Sequence, residues 1–204
     1  MRKKQIIKDE IRNPNHPKKG STIMVEPIKS KKDIKAIKLL LANKPLDLAL
    51  FTVGINTNLR ASDLLSLKVE QVNHLTPMQE IILREKKTKK DRRISLNSAC
   101  IEAMQNLLKS KKLKDEDFLF TGKFGTVILT PSLNLKVKSW TSAIRLKGNY
   151  GSHSLRKTWG YHQRQAGADI PTLMECFNHS TQKQTLTYLC IQPDEIKNIY
   201  ANVI

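Results

Sequence analysis

Apolar residues recur at helical spacing along most of this chain, and only in the middle does the pattern change to short β-branched runs. Residues 1–29 show no apolar period, and Pro14, Pro17, Gly20 and Pro27 interrupt any helix, so this stretch reads as a flexible basic arm. Order is expected from Ser30. Ser30 and Asp33 form a capping pair, after which Ile34, Ile37, Leu40 and Leu41 share one helical face. A second helix is predicted from Pro45 to Val53, with Gly54 ending it. The turn INTN leads into ASDLLSL, which starts a third, short helix.

Three runs, 72–75, 80–83 and 92–96, are then separated by TPMQ and by the charged stretch REKKTKKD. They predict a small three-stranded antiparallel sheet. Asn97 can cap a helix that turns Ile101, Met104 and Leu108 inward, and Thr130-Pro131 opens another as cap and first position. Ser152 starts a helix carrying HSLRKTWGYHQRQ, which Gly167 closes. Shorter helices are expected at 170–177, 181–189 and 193–202. No internal repeat is present. The class predicted is mainly α with one minor sheet, in a single domain over 30–204 behind the arm.

Charge adds a partner to this picture. The chain has 204 residues, enough for one good core, and carries 36 Lys+Arg against 18 Asp+Glu, a net charge of +18. Such an excess opposes compaction unless a polyanion is the working partner, and nucleic acid is the commonest. No long basic amphipathic helix with an aromatic face supports a membrane-surface role. The apolar run 46–55 carries Asp47 and is too short to span a bilayer. Cys100, Cys176 and Cys190 stand far apart with no CxxC pair, which suits a reducing cytoplasm rather than a disulfide frame or a structural zinc. No apolar stretch follows the basic N-terminus as a signal peptide requires.

Candidate chemistry is spread along the chain. It comprises Arg60 in NTNLRASDLLSL, Lys87 in REKKTKKDRRISL, His153 and Arg156 in HSLRKTW, His179 in FNHST and Tyr188 in TLTYL. Singly, each has an ordinary reading: a surface Arg, a solvated hairpin tip, a polar helix face, a turn His, a core Tyr. His153 and Arg156 are spaced to share a helix face. A metal site fits poorly, because His153, His162 and His179 lack carboxylates at ligand spacing and have cationic neighbours.

In order and context the set resembles the tyrosine recombinases, the phage integrase family. The family's TGLRISELLxL reads TNLRASDLLSL here, with Asp63 for the usual Glu. Its GKGxKxRxVPL corresponds to KKTKKDRRISL, with Lys87, Lys90 and Arg92 at matching steps. HxLRHTxA corresponds to HSLRKTWG, and LGHSxxxTTxxYxH to FNHSTQKQTLTYLC. Lys157 stands where the family often has His. Asn178 stands where it has Gly, a substitution that suits a turn with positive φ. The resemblance covers roughly residues 30–200, and most members carry a separate helical core-binding domain ahead of it. This chain therefore reads either as an excised catalytic domain or as a short member similar to fimbrial-switch invertases.

What the resemblance implies is a DNA strand transferase acting on double-stranded DNA without cofactor or metal. Arg60 and Arg156 would neutralise the phosphate, Tyr188 would attack, His153 would act as general base and Lys87 as acid. His179 would hydrogen-bond a non-bridging oxygen, and Lys90 and Arg92 would contact DNA. The product would be a 3′-phosphotyrosyl link and a free 5′-hydroxyl. Two rivals stand beside this reading: a type IB topoisomerase with similar residues, and a non-catalytic DNA-binding accessory protein. In the tail, Ile196, Ile199, Tyr200 and Val203 form an apolar stripe. It either packs on its own domain or docks on a neighbouring subunit, and the second alternative implies a monomer in solution that assembles into a tetramer on paired DNA sites.

Overall fold

Ser30 opens the first helix as its sequence predicts, its hydroxyl accepting from the Asp33 N–H at 3.2 Å. In the computed structural model the described residues are 24–84, 91–122 and 125–189. The basic arm as far as residue 23, Lys87, Lys90 and the tail beyond Leu189 lie outside them. Helix α1 spans Lys31–Leu40 and turns Ile37 into the core, with Leu41 buried just beyond it. Leu40, expected on the same face, is instead exposed.

Helix α2, Pro45–Asn56, forms the centre of the fold. Its sequence is apolar almost all round, the pattern of a helix with no solvent face, and Ala49, Leu50, Phe51 and Val53 are fully buried. Gly54 does not end it. A Cβ at Gly54 would meet Leu155 Cδ1 at 2.7 Å, so the glycine allows close approach of another helix rather than a stop. That helix is α6, Ser152–Gln165, followed by Gly167 at φ 98°. On its other side α2 packs against α4, Ser98–Ser110, capped by the Asn97 side chain. Cys100, Ile101, Met104 and Leu107 point inward from α4, and Leu108 packs at the margin of the core.

Helix α3 is the short segment Ala61–Leu64. The sheet differs from expectation. Among the described residues it has two antiparallel strands, β1 (Glu80–Arg84) and β2 (Asp91–Ser95), with Ile81 opposite Ile94. The expected third strand at 72–75 is a chain of turns following a 3-10 turn at Val69–Gln71. Val72 and Leu75 are both buried, and Val72 and Asn73 both bond the Val69 carbonyl at 2.9 Å. Apolar residues three apart suit this wrapped backbone, whereas a strand buries alternate residues.

Helix α5, Thr130–Ala143, carries Pro131 in its first turn. Helices α7 (Ile170–Phe177) and α8 (Gln182–Tyr188) close the domain over α6. Order starts before Ser30. The Ile28 N–H donates to Thr158 Oγ1 at 2.8 Å, and Ile28 is buried, so the end of the expected arm is fastened to α6. A small second apolar cluster of Leu173, Phe177 and Leu189, with Trp159 and Tyr188 against it, joins α6 to α7 and α8. No helix among the described residues is long and apolar enough to cross a membrane.

Candidate active site

The turn before α3 carries the first candidate. Asn58 adopts φ 53°, a left-handed conformation that Asn tolerates better than most residues. Two residues on, Arg60 occupies the N-cap of α3 and lies 3.9 Å from the buried Asp63 carboxylate. The Asn58 amide donates to the Cys176 carbonyl at 2.8 Å, which ties this turn to the end of α7.

Arg156 reaches the same place from α6. It is buried, and its guanidinium donates to the Asn58 carbonyl at 3.0 Å and to the Phe177 carbonyl at 2.8 Å. Arg92 approaches from β2 and donates to the Asn58 carbonyl at 3.3 Å and the Cys176 carbonyl at 2.6 Å. Hydrogen bonds made by charged donors contribute roughly 1.5–3 kcal/mol each, so the two guanidiniums fix the loops around them. Arg92, expected on DNA, here donates to carbonyls left open at the end of α7, which need donors.

His153, one turn before Arg156, stays exposed at the mouth of the site. Desolvation by its neighbours, then Arg156, Lys157 and Arg60, holds its pKa below the ordinary 6.5. A neutral imidazole there can accept a proton.

Helix α7 ends on Asn178 at φ 54° and ψ 48°, the left-handed cap that its place in the family motif requires. This sharp turn directs His179 back over Phe177, on which it stacks with ring centroids 5.1 Å apart. His179 Nδ1 pairs with the Thr185 hydroxyl at 3.0 Å. Burial, followed by Arg156 and Arg60, pushes the His179 pKa down to about 4. The imidazole is thereby neutral near pH 7. Tyr188 ends α8, with its ring 5.0 Å from Phe177 and 5.3 Å from His179 and its hydroxyl enclosed.

His153, Lys157 and Tyr188 line one open cleft of about 760 Å³, together with Val25, Lys183 and Thr187. Arg60, His153, Arg156, His179 and Tyr188 are thus gathered from four segments. Lys87 and Lys90 lie outside the described residues. Sequence reasoning missed Asn58 as a hub, although its signal was the same Asn-for-Gly exchange noted at Asn178. It also missed Phe177, the apolar floor on which Arg156, His179 and Tyr188 all rest. No cluster of three or more His, Cys, Asp or Glu side chains able to hold a metal ion exists among the described residues.

Comparison with known proteins places the chain in a family. Residues 21–195 match the model of the phage integrase family. The chain is 32% identical over 178 residues to the probable integrase/recombinase YoeC of Bacillus subtilis, covering 87% of this chain and 96% of that protein. Against the tyrosine recombinase XerC of Neisseria gonorrhoeae, identity is 27% over 161 residues, covering 76% of this chain but only 50% of XerC. The fold is similar to that of the XerA recombinase, with a TM-score of 0.71 at 19% identity over 91% of this chain and 65% of that one. It is also similar to the catalytic domain of bacteriophage HP1 integrase, with a TM-score of 0.57 at 22% identity over 87% and 95% of the two chains.

Proposed function

Because this chain belongs to the phage integrase family, we propose that it is a site-specific recombinase that cuts and rejoins double-stranded DNA through Tyr188. The observation that carries the proposal is the convergence of five side chains from separate elements: His153 and Tyr188 line one cleft, His179 meets the Tyr188 ring, and the charges of Arg60 and Arg156 act on both histidines.

The step follows from these groups. A phosphodiester repels nucleophiles because its oxygens are electron-rich, so catalysis must first neutralise charge. Arg60 and Arg156 supply fixed guanidiniums for the non-bridging oxygens, and positioned donors of this kind are each worth roughly 3–4 kcal/mol in the transition state. The Tyr188 oxygen attacks phosphorus while its proton passes to neutral His153, since a phenol of ordinary pKa about 10 is a poor nucleophile until deprotonated. As the Tyr188 O–P bond forms, the P–O5′ bond breaks, and Lys87 protonates the departing oxygen. His179 donates to a non-bridging oxygen. The phosphotyrosyl link conserves the bond energy, so the 5′-hydroxyl can reverse the step without ATP. Positive charge beyond the site, +18 in all, supports a duplex as partner, with Lys90 as a candidate contact. The apolar tail stripe supports assembly of monomers into a tetramer on paired sites.

The test uses nicked duplexes tiled across the DNA flanking the gene. Wild-type protein is expected to become covalently attached to one of them in excess EDTA, and Tyr188→Phe to bind that duplex without attachment. Attachment through Tyr161 or Tyr200, or a magnesium requirement for the chemical step, would overturn the assignment.

A further inference from the structure

Lys157 follows Arg156 on α6, at the position where the family motif often has His, and only 6% of its surface is exposed. A buried ammonium is costly unless something replaces its water. Here the Tyr188 ring does so in part: Lys157 Nζ lies 5.1 Å from the ring centroid. Phe177 is tilted 60° to the same ring and His179 stands at 74° to it. Two aromatic neighbours and one cation therefore hold the ring.

A cation over an aromatic face is attracted by the electron density of the ring. That density rises when the phenol loses its proton, so the attraction is stronger for the phenolate than for the phenol. An interaction that strengthens as the reaction proceeds accelerates it, whereas one equal in both states does not. Resting on the recombinase reading above, we propose that Lys157 is a positioning residue that holds the Tyr188 ring in the cleft and favours loss of its phenolic proton.

The surroundings act in the same direction. Lys157 and His153 face the cleft from α6 and Lys183 from α8. His179 faces the ring from the turn between α7 and α8, and the charges of Arg156 and Arg60 act on it. No carboxylate lines the cleft among the described residues. After desolvation and Arg156, Lys157 is also the next cause of the lowered His153 pKa, so the same ammonium adds to the lowering at the base.

Titration of the nucleophile reads this directly and needs no DNA. The full chain is labelled with 3-fluorotyrosine, its Tyr188 resonance is assigned by its loss in Tyr188→Phe, and the pH is varied. Lys157→Met is expected to raise the Tyr188 titration midpoint by about one pH unit, the effect of one nearby charge, and Lys157→Arg to restore it. Covalent attachment to the nicked duplex should slow in Lys157→Met, by up to about tenfold, the limit that one unit sets, and recover in Lys157→Arg. If Lys157→Met does not fold, Lys157→Gln, which keeps the stem and loses the charge, takes its place. Equal midpoints in wild type, the neutral variant and Lys157→Arg would falsify the proposal. Failure of the recombinase reading is a separate result: wild type then attaches to no duplex, while the fluorine titration still reports on Lys157.

Discussion

Arg92 and Arg156 meet on a single atom, the Asn58 carbonyl oxygen, at 3.3 Å and 3.0 Å. One arrives from the β-hairpin and the other from helix α6, and between them they fix the turn that presents Arg60. A carbonyl with two lone pairs can accept both, and each guanidinium uses its second arm on the end of α7. Arg92→Ala is expected to lower stability by roughly 3 kcal/mol, the low end for two charged hydrogen bonds of about 1.5 kcal/mol each on a half-buried side chain, as read by urea unfolding. Because Arg92 turns inward, the salt dependence of DNA binding should not change. A slope reduced by about one would instead put Arg92 on a phosphate.

Asn58 and Asn178 both hold left-handed backbone at positions where the family motif has Gly. Asn58→Ala is expected to cost about 2 kcal/mol, about one because Ala lacks the short polar side chain by which Asn tolerates left-handed backbone and about one for the lost bond to Cys176. Asn58→Gly loses the bond but relaxes the backbone, and its thermal midpoint should lie close to wild type. Equal loss in Ala and Gly would mean that the amide bond alone matters.

Gly160 lets α6 approach the floor of the site. A Cβ there would fall 2.4 Å from Phe177 Cζ and 2.6 Å from Leu189 Cδ2. Gly160→Ala should therefore displace Phe177, on which His179 stacks, and cost about 1–3 kcal/mol as overpacking usually does. Cleavage is expected to fall more than DNA affinity, which single-turnover attachment and a binding titration together resolve.

Stability should also depend on pH in a specific direction. His179 titrates near 4 in the folded chain against 6.5 ordinarily. Between those values the unfolded chain binds a proton that the folded state refuses, so stability falls as pH drops from 6.5 towards 4 and is level above 6.5. His153, also lowered, acts in the same sense. Thermal melts across this window should show the slope, and His179→Gln should flatten it in part. An unchanged slope in that variant would assign the acid sensitivity elsewhere.

The sequence by itself determined the helical class and most helix starts, and it nominated the residues of the candidate site. Caps such as Ser30 and Asn97 are local, because a side chain bonds an amide three residues on. The order of Arg60, His153, Arg156, His179 and Tyr188 was legible because each sits in a short motif with its own spacing. Only tertiary structure decided what depends on distant neighbours. Gly54 reads as a helix stop until Leu155 is placed against it. The 72–75 run reads as a strand until its amides find Val69 rather than a partner strand. The bonds of Arg92 to the carbonyls of Asn58 and Cys176 could not be read from its own motif. In each case the local pattern left more than one outcome open, and contacts formed only in the folded chain chose between them.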